Sequence, residues 1–435
     1  MIKAYLKQAW AMMKQNRLFT SIYVAGTALS VAFTMLLFIV YYVKFGPVYP
    51  EYNRNRTLVI NNLRMEGKDN GTNYMCNAGV GVQVIDMLKD LPHLDKIAGS
   101  IMVGTLWNDI GILLKNNEEY RPMTNLVNRE FWDVFSFQFV SGKPFSEVDV
   151  ASNLPKVIIS ESLAQRIFAQ TDVAGQSIQL EGKDYEVCGV VKDASTATKA
   201  SMGELYLPLF FIEELTSTNY NDGLTGNITL YITAPTEGDV EALRSEILEV
   251  FKNYNLQDAE WNHNLMGQPD IYWKSFFRNP CENEPDIAAE VRSILYMLLA
   301  LLFIPAMNLC GMISSRMDER LSELGVRKAY GATNRSLIHQ VLTENLLLTI
   351  IGGLIGLTLA YALTLVGGKQ VLSIFDSDMF YDMQSSMSIH LDMLINLPLF
   401  ATVLGVCILL NLISALVPTI LALRHPIINS IHSKR

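Results

Sequence analysis

The stretch from Leu18 to Val43, LFTSIYVAGTALSVAFTMLLFIVYYV, runs for 26 residues without a charge. A hydrocarbon core about 30 Å thick is crossed by about 20 apolar residues in a helix, so this segment is long enough to span a bilayer. It is too long for the apolar core of a secretory signal, and no Ala-x-Ala site follows before Lys44, so a retained anchor is expected. Three further uncharged stretches meet the same criterion: 293–315, 345–368 and 393–423, with 23, 24 and 31 residues. Half of the 435 residues are hydrophobic and 18% are charged, which suits a chain that is part membrane and part water-soluble.

Lysine and arginine in short flanking segments set the orientation. The first segment carries Lys3, Lys7, Lys14 and Arg17 with no acid. The loop after the second stretch carries Arg316, Arg320, Arg327, Lys328 and Arg335, and the tail ends with Arg424, Lys434 and Arg435. Between the third and fourth stretches, Lys369 stands alone against Asp376, Asp378, Asp382 and Asp392. Both termini and the loop 314–344 are therefore expected in the cytoplasm, and residues 44–292, with 35 acids against 21 bases, outside it.

The expected fold class is an α-helical membrane protein with four transmembrane helices and an α+β extracytoplasmic domain of two lobes between the first and second. In order this gives a cytoplasmic amphipathic helix (1–18), a first span (19–43), the outer domain (44–290), a second span (291–313), a cytoplasmic hairpin (314–340), a third span (341–366), a short outer loop (367–396), a fourth span (397–421) and a cytoplasmic tail (422–435). The amphipathic helix rests on Ile2, Leu6, Ala9, Trp10 and Met13, which share one face and suit the inner membrane surface. In the outer domain, strand-like runs such as LVINNL, KVIIS and YEVCGVV alternate with helical patterns at 84–89, 161–168 and 240–252.

Catalytic patterns are missing. The six histidines (93, 263, 339, 390, 425 and 432) are scattered, and neither HExxH nor GxSxG occurs, so no enzyme activity, cofactor or metal site is expected in this chain. The Asp376, Asp378 and Asp382 cluster lacks the spacing and glycine of a calcium loop. No dense basic patch exists to hold nucleic acid. The five cysteines include no CxxC pair, which argues against a disulfide framework and leaves one pair within the outer domain open. Small residues at four-residue spacing, Gly26, Ser30 and Thr34 in the first span and Gly352, Gly356 and Ala360 in the third, form faces for close helix packing, inside the bundle or at a dimer seam. Asn308 and Asn411 suit hydrogen bonds between helices, and Pro305 and Pro418 suit kinks. Glu344 and His339 are expected at the cytoplasmic margin, pairing with Arg335 or snorkelling.

The charged loop RMDERLSELGVRKAYGATNRSLIHQVLTEN (316–345) is helical in pattern. It reads as a surface helix ended by Gly331 in the left-handed conformation, then a second helix capped by Thr333 that continues into the third span. Within it, ELGVRKAYGAT (323–333) resembles the E-[IL]-G-[IV]-[RK]-[RK]-A-x-G-A-[ST] signature of FtsX-like permeases. The runs VNREFWDVFSFQFVSGKPFSEVD (127–149), KVIISESLAQRIF (156–168) and VAGQSIQLEGKDYEVCGVVKD (173–193) are similar to the periplasmic core domain of MacB-type permeases.

The resemblance implies the permease of an ABC transporter in the bacterial inner membrane, with Glu323, Gly325, Arg327, Lys328, Gly331 and Ala332 at the contact with the ATPase. It implies mechanotransmission for export or for lipoprotein or peptide extraction, and a central lobe near residues 121–205. Implied partners are an ABC ATPase, a second permease copy or paralogue, and membrane lipids, with a periplasmic adaptor or lipoprotein as a further candidate. No GxxxxGK[ST] occurs in the 435 residues, so ATP is expected on a separate subunit. The same resemblance allows an FtsX-like regulator of envelope enzymes or signalling that transports nothing. One departure concerns the first stalk: family members often follow span one with an acidic Glu and a Tyr-Asp pair, where this chain has Lys44-Phe-Gly-Pro-Val-Tyr-Pro-Glu-Tyr52.

Overall fold

The computed structural model describes residues 10–11, 13–15, 17–68, 74–77, 79–103, 110–114, 118–180, 182–195, 198–212, 223–300, 303, 326–373 and 397–423. These fall into two compact units, one drawn from 1–41, 289–371 and 394–435 and the other built on 42–288.

In the first unit, α1 (Arg17–Phe45) contains the first span. Three helices among the described residues are long and apolar enough to cross a membrane: Thr20–Phe45, Asn334–Val366 and Phe400–Leu421. Of the expected second span, 291–300 and Phe303 are helical, in a helical stretch that begins at residue 287, and the rest lies outside the described residues. The amphipathic helix at 1–18 is likewise described only in part, with residues 10, 11 and 13–15 helical. The acidic cluster at 376–382, the tail 424–435, Asn308 and Pro305 also lie outside the described residues.

The second unit is a mixed sheet with helices on both faces. Its strands are β1 (Thr57–Ile60), β2 (Leu63–Gly67), β3 (Tyr74–Asn77), β4 (Lys96–Val103), β5 (Ile112–Leu113), β6 (Glu119–Tyr120), β7 (Thr124–Val127), β8 (Phe139–Gly142), β9 (Lys156–Ser160), β10 (Ser177–Leu180), β11 (Lys183–Val191), β12 (Leu205–Pro208), β13 (Thr229–Thr233), β14 (Trp261–Asn264) and β15 (Asp270–Ile271). Twelve join in the order β15-β1-β13-β4-β7-β12-β9-β11-β10-β5-β6, with β8 on β11, and β14-β2-β3 form a separate small sheet. The helices are α2 (Gln83–Leu88), α3 (Phe131–Val134), α4 (Glu147–Ala151), α5 (Glu161–Phe168), α6 (Val240–Gln257) and α7 (Tyr272–Ser275).

Successive strand residues point to opposite faces, and both faces are covered, which explains the continuous apolar runs. Leu58, Ile60, Ile97, Leu126, Ile159, Leu205 and Leu207 join one core with Leu163 of α5 and Leu243, Ile247 and Phe251 of α6. Their neighbours Val59, Ala98, Val127, Ile158 and Tyr206 join a second core with Phe131, Trp132 and Tyr272.

The domain is expected to be two-lobed, with about 121–205 as one lobe; that segment supplies the adjacent strands β7, β12, β9, β11 and β10, with β8 on β11, of the twelve-stranded sheet. Ser100–Val103 of β4 pair antiparallel with Thr124–Val127 of β7, and β7 pairs parallel with β12, so the hydrogen-bonded ladder passes through without a break. Cys76 of β3 and Cys281 form a disulfide with Cα atoms 5.7 Å apart, which is the outer-domain pair that the cysteine count left open.

Candidate functional site

Residues 326–329 are helical, 330–331 turn, and α8 (Asn334–Ser373) then runs unbroken through the third span. Gly331 adopts φ +91°, a backbone conformation that side chains disfavour, and its N–H donates to the Lys328 carbonyl at 2.9 Å. The Thr333 hydroxyl accepts from the Ser336 N–H at 3.3 Å, so helix end and helix start both form where the sequence places them.

Of the expected coupling residues, Glu323 and Gly325 lie outside the described residues. Arg327 Nη1 donates to Gln340 Oε1 at 2.8 Å and ties the first arm of the hairpin to α8. Lys328 is half-buried, and Tyr330 at the apex is 88% exposed. Ala332 packs on a cluster of Tyr23 from α1, Leu337, Val341 and Leu348 from α8, and Ala415 from α9 (Leu397–Leu423). The turn is thus seated on three membrane helices of its own unit.

The small residues of the third span pack within the chain. A β-carbon on Gly352 would stand 2.8 Å from the Thr27 Cβ, and one on Gly356 would stand 2.9 Å from the Val31 Cβ. Ala360 is fully buried. Of the alternatives left open for this face, Gly352 and Gly356 take the one inside the bundle, against α1. Asn411 Nδ2 donates to Thr349 Oγ1 at 3.2 Å, the expected bond between helices, and Pro418 lies inside α9. Glu344, expected at the cytoplasmic margin, is buried. His339 is exposed.

The structure adds a group that sequence reading missed. Just past α1, Arg54 and Glu51 are both buried and joined at 2.6 Å. Their signal was an acid and a base three residues apart shortly after a span, the acid inside and the base just past the stretch that departs from the family pattern. Among the described residues no cluster of three or more potential metal ligands occurs.

The long apolar helices and the mixed sheet define a membrane protein with a folded α/β domain. Residues 20–250 match the MacB-like periplasmic core domain and residues 295–427 match the FtsX-like permease C-terminal domain. The chain belongs to the ABC transporter permeases of this MacB and FtsX-like family. It is 23% identical over 259 residues to the uncharacterized ABC transporter permease YknZ of Bacillus subtilis, a match covering 59% of this chain and 60% of that protein. It is 22% identical over 263 residues to the macrolide export ATP-binding/permease protein MacB of Neisseria meningitidis, covering 59% of this chain and 37% of that protein. The solved extracellular domain of the ABC-type transporter YknZ from Gram-positive bacteria superposes with a TM-score of 0.33 at 16% identity, over 47% of this chain and all of that one.

Proposed function

We propose that this chain is the membrane subunit of an ABC transporter in the bacterial inner membrane, coupling ATP hydrolysis on a separate ATPase subunit to movement of the outer domain. The observation that carries the reading is the hairpin at Gly331: an exposed apex beside Ala332, which is packed on α1, α8 and α9. A push on Tyr330 or Lys328 enters α8 directly, because Asn334–Ser373 is one helix. Chains of packed side chains and rigid helices are the physical means of such coupling.

The side assignment is supported by the clustering of Lys and Arg around the hairpin and the two termini. The Cys76–Cys281 bond supports an outer domain in an oxidising compartment. No GxxxxGK[ST] loop occurs in the 435 residues, so the ATP site of the proposed complex lies outside them. Two permease copies, identical or paralogous, then face an ATPase dimer that closes on ATP. The outer domains expel or extract a substrate on their own side, an export or lipoprotein or peptide release, in contact with membrane lipids and a periplasmic adaptor.

The test is cross-linking. With a cysteine at Tyr330→Cys and cysteines on the ATPase surface, the reading expects a disulfide to the ATPase whose yield changes between ATP-bound and nucleotide-free states. Absence of any cross-link in an assembled, ATP-hydrolysing complex would remove the hairpin from the ATPase contact.

A further inference from the structure

The departure Lys44-Phe-Gly-Pro-Val-Tyr-Pro-Glu-Tyr52 builds a joint. The last turn of α1, from Tyr42 onward, belongs to the outer unit. A helix ends with carbonyls that have no partner inside it. Here Arg54 supplies the partner: its Nη1 donates to the Val43 oxygen at 2.8 Å, the Lys44 oxygen at 3.0 Å and the Gly46 oxygen at 2.7 Å. The remaining face of the guanidinium is fixed by Glu51, with Nε donating to Oε2 at 2.8 Å.

Glu51 does more than neutralise Arg54. Its Oε1 accepts from the Ser201 N–H at 3.0 Å and from the Ser201 hydroxyl at 2.7 Å, while Oε2 accepts from the Tyr272 hydroxyl. Ser201 precedes β12, in the middle of the sheet, and Tyr272 opens α7 directly after β15, at its far edge. The Arg54 guanidinium also lies 5.1 Å from the centre of the Tyr272 ring. Glu51 and Arg54 are 1% and 5% exposed, and Ser201 and Tyr272 are buried. Beside this centre, Phe45 stacks on Phe277 and meets Phe276 edge-on. Tyr49 donates to the Lys192 carbonyl and accepts from the Gln138 N–H, each at 3.1 Å.

A buried ion pair is a poor source of net stability, because desolvation opposes the Coulomb gain. What this pair does supply is direction: one carboxylate binds two segments far apart in sequence, one leading into β12 and one leaving β15, and one guanidinium binds three carbonyls at a helix end. We infer that Glu51 and Arg54 are positioning residues that lock the last turn of α1 to both the middle and the edge of the outer sheet. The helix end and the sheet then move as one piece. The inference rests on the proposed reading for its purpose, but its geometry is tested without ATP or the ATPase.

The experiment is hydrogen exchange on the full-length protein in lipid nanodiscs. Arg54→Gln is expected to raise exchange at the amides of residues 42–46 by about tenfold, as the uncapped turn frays, with β9 and β11 unchanged. Tyr272→Phe and Ser201→Ala, which each remove one hydroxyl and keep the fold's bulk, are expected to raise it about threefold each. They decide the matter if Arg54→Gln does not fold. Unchanged exchange at 42–46 in the folded variants overturns the joint. A wild-type complex whose outer domain fails to move with ATP would overturn the proposed transport mechanism instead, leaving the exchange result to judge the joint.

Discussion

A β-carbon at Gly356 would overlap the carbonyl oxygen of Ala28. The two helices therefore meet backbone to backbone, the kind of approach that small residues permit in membranes, where packing rather than hydrophobicity drives association. Gly356→Leu is expected to lower stability by about 1–3 kcal/mol, as overpacking does. Gly26→Ala, where nothing lies within 4 Å, should change it by less than about 0.5 kcal/mol. Thermal unfolding in detergent compares the two, and equal effects would contradict the packed seam.

Three of the four expected membrane segments are legible as long apolar helices among the described residues, because an uncharged run longer than a bilayer has few other uses. Gly331 and Thr333 are legible for a similar reason: each satisfies a local backbone need of a helix terminus. The order of the outer sheet is not, since placing β12 between β7 and β9 depends on ladders between residues far apart in sequence. Glu51 and Arg54 look like a solvated pair when read in line. Only Ser201 and Tyr272, 150 and 221 residues further along, give them a buried role.

The disulfide closes a loop between residues 205 apart. In the chain-entropy account such a link contributes about 2–5 kcal/mol, chiefly by restricting the unfolded chain. Dithiothreitol, or Cys76→Ser, should lower the melting temperature of the outer domain, and peptide mapping without reductant should recover the 76–281 linked pair. An unchanged melting temperature would contradict a structural role for the bond.

Burial pushes the Cys188 thiol up to about 12, and thiolate is the reactive form. In the folded protein at pH 8, maleimide should leave Cys188 unlabelled over times that label it fully after denaturation. Mass spectrometry of the tryptic peptide reads the result directly, and rapid native labelling would contradict the half-buried position on β11.

Two ion pairs give opposite pH signatures. The hydrogen bond from Lys156, then those from the Ser146 N–H and hydroxyl, hold the Asp149 carboxyl at about 2. A carboxyl held below its unfolded value stabilises fully above about pH 4 and loses that contribution as the pH falls towards 2. The hydrogen bond to Glu246 raises His93 above the usual imidazole value, so its contribution is complete below about pH 6.5 and fades as the pH rises through the folded value. Relative to wild type, Asp149→Asn should thus show a deficit in melting temperature at pH 6 that narrows in acid. His93→Gln should show one at pH 5.5 that narrows in base. Parallel curves for wild type and variants across pH would contradict both assignments.

The central claim is that motion enters at the hairpin and leaves through the outer domain. The most direct measurement is the ATP-dependent change in distance between spin labels on the two outer domains of the reconstituted complex. It compares wild type with a double variant, Gly331→Pro with Arg327→Glu, which breaks the left-handed turn and the bond to Gln340. The account predicts that the wild-type distance shifts with ATP and that the variant, still assembled and still hydrolysing ATP, shows no shift. An undiminished shift in the double variant would contradict it.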